Sequence, residues 1–183
     1  MENIEELNAV NKTATDRIVA IVSSLRNFAR LDMASLDVVD IHEGLENTLT
    51  LVHHELKNRV EVHKNYGKLP PIKCYPNQLN QVFLNLLVNA SHAIKGQGKI
   101  FIKTRTRASN GTVIIEFQDT GVGIADEDLS RIFDPGFTTK GVGVGTGLGL
   151  SIVYQIIEEH KGKIEVESKV GKGTTFRLIL PVK

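Results

Sequence analysis

The sequence predicts a two-layer α/β sandwich, in which a mixed β-sheet is covered by about three helices and preceded by a long N-terminal helix. Three observations predict this class: an apolar heptad pattern at the start, alternating amphipathic helices and strands after it, and two β-hairpins in the second half. A chain of 183 residues suits one ordinary domain with a smaller addition. We therefore divide it into residues 1–33 and 34–183.

The N-terminal part is predicted as one helix because apolar residues from Ile4 to Leu31 recur at alternating spacings of three and four. A second apolar line through Val10, Val19 and Val22 widens the stripe and favours a four-helix bundle. A lone helix cannot bury such a stripe. We therefore expect residues 1–33 to fold back on the following domain or to pair with a second copy, and the length of the helix from Ile4 to Leu31, roughly 40 Å, favours the partner.

The elements of residues 34–183 follow from hydrophobic periodicity and from turn residues. Asn110-Gly111 is a strong hairpin signal, and the sequence GKLPPIKCYP at 67–76 is predicted to interrupt regular structure. In chain order we predict a strand at 36–41, a helix at 42–58, a strand at 60–66, a helix at 77–94, strands at 99–106 and 112–119, a helix at 150–159, and strands at 163–168 and 174–181.

Composition argues against several kinds of surface, covalent link and metal site. The 22 Lys and Arg residues nearly balance the 21 Asp and Glu residues, so no nucleic-acid surface is indicated. The single Cys74 excludes an intramolecular disulfide and a thiolate zinc site, and we expect it to be a buried apolar residue. The N-terminus is too acidic for a signal peptide, so we expect a cytoplasmic chain. The sequence leaves open whether the intact protein is membrane-anchored.

The helix at 77–94 carries two asparagines, Asn85 and Asn89, which share one face because they lie four residues apart. Leucine and valine surround them, and an amide beside a core requires a partner. Two interpretations stand equally at this point. The amides are either capped or solvent-exposed, or they bind a ligand.

Three glycine-containing stretches follow, and each is weak evidence alone. DTGVGI at 119–124 places a carboxylate at a strand end before two glycines, a pattern that acidic turns share. IFDPGFTTK at 132–140 is either a pocket loop or a surface loop with hydrophobic anchors. GVGVGTGLGLS at 141–151 opens a helix as a phosphate-binding loop does, but it matches neither the P-loop nor the dinucleotide fingerprint.

Taken in order, these stretches and the closing GKGTTF resemble the N, G1, F and G2 boxes of the sensor histidine kinase catalytic domain. The resemblance runs from about residue 36 to residue 183. It implies the Bergerat ATP-binding fold that gyrase, heat-shock chaperone and MutL ATPases share. Residues 1–33 resemble the second helix of the dimerisation and phosphotransfer hairpin of the same family.

The resemblance implies ATP and Mg²⁺ as cofactors. It makes Asn89 the magnesium ligand, Asn85 its neighbour on the phosphate side, His92 a phosphate contact and Asp119 the acceptor for the adenine 6-amino group. Asn85 and Lys140 are the implied catalytic residues. The other implied contacts are Gly121, Gly123, Ile124 and Thr175 around the base, Phe133 and Phe137 as lid anchors, Thr138, Thr139 and Lys140 as the hinge, and Gly143, Gly145, Thr146, Gly147, Leu148, Gly149 and Leu150 in the lid.

The implied function is the catalytic portion of a two-component sensor kinase, which transfers the γ-phosphate of ATP to a histidine for relay to a response-regulator aspartate. The expected partners are ATP and ADP, the acceptor helix, a response regulator and a second copy of the chain. The acceptor is missing, since His42 is the first histidine and begins the domain's own helix. The chain therefore resembles half of the hairpin plus a complete catalytic domain.

Two alternatives remain: an ATP-sensing regulatory module without catalysis, and a stand-alone ATPase. The related ATPases carry a water-activating glutamate where this chain has Asn85, which disfavours the second alternative. The remaining histidines, His53, His54, His63 and His160, are expected at solvated positions.

Overall fold

The computed structural model describes residues 35–107, 111–139 and 146–182. The predicted helix at 1–33, Asn110, Lys140, Gly143 and Gly145 lie outside the described residues. Within the described part, the helices are α1 (Ile41–Leu56), α2 (Pro76–Ala93), α3 (Asp126–Leu129) and α4 (Gly149–Glu159). The strands are β1 (Asp37–Val39), β2 (Val60–Tyr66), β3 (Ile72–Cys74), β4 (Gly98–Arg107), β5 (Thr112–Asp119), β6 (Lys163–Lys169) and β7 (Gly173–Pro181).

The central sheet has five strands in the order β2-β4-β5-β7-β6. β2 pairs with β4 in parallel, and the other pairs are antiparallel, so the predicted mixed sheet is confirmed. β1 and β3 form a separate antiparallel ribbon. β3 lies inside the segment that was predicted to lack regular structure. That prediction was wrong because a strand of three residues shows no periodicity, and the strand forms by pairing with β1.

One face of the sheet carries the core beneath α1, α2 and α4. In β5, Val113, Ile115 and Phe117 are buried, and the Phe117 ring lies 5.9 Å from that of Phe83 on α2. Cys74 is buried as expected, and burial raises the pKa of its thiol to about 11. None of the helices in the described part is long and apolar enough to cross a membrane. The buried core residues hold α2 and α4 against the sheet.

The expectation of a solvated position does not hold for His160, whose imidazole is half-buried. It follows α4, where its Nδ1 lies 2.7 Å from the Ile156 carbonyl oxygen and its Nε2 accepts from the Tyr75 N–H at 3.0 Å. An imidazole that donates through Nδ1 and accepts through Nε2 is neutral. Burial lowers the pKa of His160, although the Ile156 bond and Glu159 oppose the shift. The neutral ring therefore joins the end of α4 to the start of α2.

We expect His160→Gln to reduce the loss of stability at acid pH. The lowered folded-state pKa means that the unfolded chain binds the proton first. The contribution of His160 is therefore complete above the ordinary value of 6.5 and is lost as the pH falls through it. Glutamine keeps an acceptor for Tyr75 without titrating. Urea unfolding at about pH 7.5 and about pH 5.5 should show the wild type losing about 1 kcal/mol more than the variant. Equal losses would contradict the assignment.

Candidate functional site

Asp119 is the last residue of β5 and is 5% exposed. Its Oδ1 accepts hydrogen bonds from the backbone N–H groups of Gly121 at 2.7 Å and Thr174 at 3.3 Å. Burial raises the pKa of the carboxyl group, and these two bonds offset part of the rise. The carboxylate is thus held in a fixed orientation by the loop after β5 and by the start of β7. Such a group is suited to accept a hydrogen bond from an amino group.

The glycines after Asp119 are required for contacts within the protein. A Cβ atom on Gly121 would lie 2.7 Å from the carbonyl carbon of Ala93 at the end of α2. A Cβ on Gly123 would overlap the carbonyl oxygen of Lys169. These two glycines therefore let the loop pack closely between α2 and β6. Ile124 packs against the core.

Thr175 does not share the sheet face of Asp119. Thr175 pairs with Gln118 across β5 and β7, and side chains that face each other across a sheet share one face. Thr175 is thus on the face opposite Asp119. Thr174 shares the face of Asp119, and it is 4% exposed. Two successive threonines do not reveal which one points inward, because the sequence does not fix the register.

Both asparagines of α2 face the start of α4. The Asn85 amide donates from Nδ2 to the Gly149 carbonyl oxygen at 3.2 Å. A Cβ on Gly149 would lie 3.8 Å from Nδ2 of Asn89 and 3.9 Å from Cγ of Asn85. His92 is exposed one turn further along α2. The sequence left open whether these amides are capped or bind a ligand. In the structure, the Asn85 amide has a backbone partner, and both amides lie beside the N-terminus of α4.

The N-terminus of α4 lacks a side-chain cap among the described residues. Leu148 occupies the cap position, and the Leu148 N–H donates to Thr146 Oγ1 at 3.4 Å. The first N–H groups of a helix have no partner within the helix, and with the helix dipole they favour an anion. This end of α4, next to the two asparagines, is a candidate anion site.

In the loop from Ile132 to Thr139, the two phenylalanine rings pack against the core. The Phe133 ring lies 5.5 Å from Tyr154 on α4, and the Arg131 guanidinium lies 4.9 Å from the Phe137 ring centroid. Gly136 donates to the carbonyl oxygen of Gly147 at 3.0 Å, which connects this loop to the segment before α4. The predicted hinge residues Thr138 and Thr139 are exposed, and the predicted lid residue Leu150 packs against the core.

Two other features do not contribute to the site. A cavity of about 150 Å³ between α1 and α2 is lined by a different set of residues, which includes Asp40, Asn80 and Cys74. No group of three or more His, Cys, Asp or Glu side chains in the described ranges is arranged to hold a metal ion. The candidate site therefore consists of Asp119, the loop that follows it, and the N-terminal end of α4 beside Asn85 and Asn89.

Residues 74–183 match the model of the family described as histidine kinase-, DNA gyrase B- and HSP90-like ATPase. The chain belongs to this ATPase family. The match begins before α2 and runs to the end of the chain. Every candidate residue between Asn85 and Thr175 thus lies within the ATPase domain.

Relatives of this ATPase domain occur in sensor kinases. The chain is 39% identical over 180 residues to sensor histidine kinase ZraS of Salmonella typhimurium strain LT2, which covers 97% of this chain and 38% of ZraS. It is 47% identical over 169 residues to sporulation kinase E of Bacillus subtilis strain 168, which covers 91% of this chain and 22% of the kinase. The chain thus spans less than half the length of these relatives.

Solved structures of histidine kinases share the fold of the ATPase domain. The nucleotide-free catalytic domain of histidine kinase ThkA superposes with a TM-score of 0.72 at 28% identity, over 81% of this chain and 96% of ThkA. Full-length ShkA in complex with AMPPNP gives a TM-score of 0.78 at 26% identity, over 99% of this chain and 39% of ShkA. The α/β sandwich is therefore that of histidine kinase catalytic domains.

Proposed function

We propose that this domain binds ATP with Mg²⁺ and transfers the γ-phosphate to a histidine on a partner helix, for relay to a response-regulator aspartate. The observation that carries the proposal is the combination of a buried carboxylate at the end of β5 with an uncapped helix N-terminus that faces two amides. The first group suits a purine amino group, and the second suits phosphates. Membership of the ATPase family supports ATP as the nucleotide.

The base is proposed to bind against Asp119, whose carboxylate accepts from the adenine 6-amino group. Gly121 and Gly123 hold the loop so that Asp119 keeps this orientation, and Ile124 borders the ring. Because Thr174 shares the face of Asp119, we assign it the hydroxyl that the sequence assigned to Thr175. Guanine presents an oxygen where adenine presents the amino group, so the carboxylate disfavours it.

The residues near α4 fit a magnesium ion held mainly by phosphates. Mg²⁺ prefers oxygen ligands and usually combines one or two protein groups with phosphate oxygens and water. Asn89 offers an amide oxygen beside the candidate anion site, so a cluster of carboxylates is unnecessary. When bound, Mg²⁺ neutralises charge on the phosphates. Asn89 would hold the ion, and Asn85 would keep Gly149 and the start of α4 in place.

Several assigned roles remain proposals for the phosphate side. His92 is exposed on α2 and is proposed to contact phosphate, while Lys140 is proposed to offset charge on the γ-phosphate. Phe133 and Phe137 anchor the loop that leads to the hinge at Thr138 and Thr139. The lid contacts are assigned to Gly143, Gly145, Thr146, Gly147, Leu148, Gly149 and Leu150.

The side chain at position 85 favours transfer over hydrolysis. An amide cannot accept a proton from water, and the Asn85 amide already donates to the Gly149 carbonyl. Phosphoryl transfer depends mainly on positioning and charge neutralisation, which this site provides. The asparagines beside the candidate anion site also favour a catalytic domain over a sensor that only binds the base. Dimerisation through residues 1–33, with a domain boundary at 33–34, is part of the same proposal.

The test is transfer to a separate acceptor. The chain is mixed with γ-labelled ATP, Mg²⁺ and a helical hairpin that carries an acceptor histidine. We expect acid-labile label on the hairpin, and we expect none with Asn89→Ala, which removes the proposed magnesium ligand. A hairpin with the histidine changed to glutamine is the matched control.

Three other outcomes would contradict the proposed function. Nucleotide binding without label on any hairpin supports the ATP-sensing module and contradicts the proposal. Release of phosphate at the same rate with and without the hairpin supports a stand-alone ATPase. Label that survives acid contradicts a phosphohistidine.

A further inference from the structure

Arg59 lies in the turn between α1 and β2 and holds the end of α2, although none of the motifs in the sequence includes it. Its guanidinium donates from Nη1 to the Ile94 carbonyl oxygen at 3.1 Å, and from Nη2 to the Ser91 carbonyl oxygen at 3.3 Å and to the Ser91 Oγ at 2.8 Å. The Arg59 carbonyl oxygen accepts from the Gly98 N–H at 3.0 Å, at the start of β4. One residue thus connects the end of α2 with the starts of β2 and β4.

The end of α2 needs such donors because the last carbonyl groups of a helix have no partner within the helix. Arg59 supplies donors to two carbonyl groups there, and its positive charge suits the negative end of the helix dipole. The loop after Asp119, residues 120–124 and here called the base loop, supplies another donor. Its Val122 N–H donates to the Ala93 carbonyl oxygen at 3.0 Å. Arg59 and the base loop therefore cap the same helix end.

The position of Ala93 in turn determines where the base loop lies. A Cβ on Gly121 would lie 2.7 Å from both the carbonyl carbon and the Cβ of Ala93, so the loop backbone and the helix end are in direct contact. The Gly121 N–H donates to Asp119 Oδ1 at 2.7 Å, and this bond orients the carboxylate. Displacement of the helix end would therefore move Gly121 and, with it, the carboxylate of Asp119.

We propose that Arg59 is a positioning residue for adenine recognition, which holds Asp119 in place through the last turn of α2 and the base loop. A guanidinium presents its donors in a planar fork, and here two of its nitrogens donate to the carbonyl groups of Ser91 and Ile94. Lysine carries the charge without this fork and replaces only part of the arrangement. The inference rests on the proposed binding of ATP at Asp119, and it adds a residue that acts on the base only through other residues.

The test compares ADP with inosine diphosphate (IDP), in which an oxygen replaces the 6-amino group. Calorimetry gives both affinities for the wild type, Arg59→Met and Arg59→Lys. We expect the wild type to prefer ADP by about 100-fold, because the amino group donates to a buried carboxylate and an oxygen cannot. Arg59→Met keeps the aliphatic stem without the donors and should reduce the preference to about tenfold. Arg59→Lys should give an intermediate preference.

Hydrogen exchange in the empty protein tests the same contacts without a nucleotide. The Val122 amide proton is protected by its bond to Ala93. In Arg59→Met we expect it to exchange about tenfold faster, while the Ile115 amide in β5 exchanges as in the wild type. A general loss of stability would accelerate both amides. Lys57→Met is the matched control, because it removes a cation from an exposed position in the same turn and should change neither the preference nor the exchange.

A merely structural role lowers the folded fraction for both nucleotides and leaves their ratio unchanged. An unchanged ratio in Arg59→Met therefore overturns the inference while the proposed binding of ATP stands. If Arg59→Met does not fold, a ratio in Arg59→Lys equal to that of the wild type has the same meaning. A wild type that binds ADP no better than IDP overturns the base contact with Asp119 and the inference with it. A wild type that binds neither nucleotide overturns the proposed function itself.

Discussion

Asp119→Asn should lower the affinity for ATP by about 100-fold or more while the empty protein stays at least as stable as the wild type. Asparagine keeps an oxygen that can accept from Gly121 and Thr174. Its NH₂ group, however, replaces the acceptor that the adenine amino group requires, so two donors face each other. The variant also removes a buried charge whose desolvation raises the pKa of Asp119.

Calorimetry measures the affinity, and urea unfolding at neutral pH measures the free energy of unfolding. Asp126→Asn is the matched control, because it removes the same charge from an exposed position in the first turn of α3. We expect the control to bind ATP as the wild type does. Unchanged ATP affinity in Asp119→Asn would show that the base binds elsewhere. Loss of folding would show that the carboxylate is structurally required.

Gly173→Ala should destabilise the fold by about 3 kcal/mol and weaken ATP binding together. Gly173 has φ +98°, a conformation that residues with a Cβ rarely adopt. Its added Cβ would overlap the carbonyl oxygen of Asp119. The hairpin or the end of β5 must then shift, and Asp119 loses its position between Gly121 and Thr174.

A second glycine in the same turn separates backbone strain from steric overlap. Gly171 has φ +76°, but among the described residues no atom beyond its chain neighbours lies within 4 Å of a Cβ placed there. Gly171→Ala should therefore cost about 1 kcal/mol and leave ATP affinity unchanged. Urea unfolding and calorimetry on both variants check this difference. Equal effects at the two positions would contradict the packing of Gly173 against Asp119.

The fold was predictable from the sequence where periodicity is strong. Apolar residues spaced three and four apart defined α2 within one residue at each end, and alternation defined β5. Asp119 was singled out through the resemblance of four ordered stretches to the boxes of a known family, because a carboxylate before two glycines is weak evidence alone. The periodicity of a long element is visible in its own residues, so other segments add little to its prediction.

The features that the sequence did not predict depend on contacts between distant segments of the chain. The choice between Thr174 and Thr175 follows from the register of β7 against β5, which sequence alternation alone leaves ambiguous. His160 is half-buried, and its Nε2 accepts from the N–H of Tyr75, which lies far away in the chain. The Ser168 hydroxyl lies beside that of Thr174 only because β6 pairs with β7. Each case requires the three-dimensional arrangement of elements.

The buried carboxylate of Asp119 also makes the nucleotide part of the energetics of the domain. An empty pocket keeps a charge away from water, which opposes folding, and a bound amino group supplies the missing partner. A ligand at a thousand times its dissociation constant adds about 4 kcal/mol to the stability of its protein. On the proposed binding of ATP, the resistance of this domain to proteolysis would therefore follow the concentration of ATP, and depletion of ATP would shorten its lifetime.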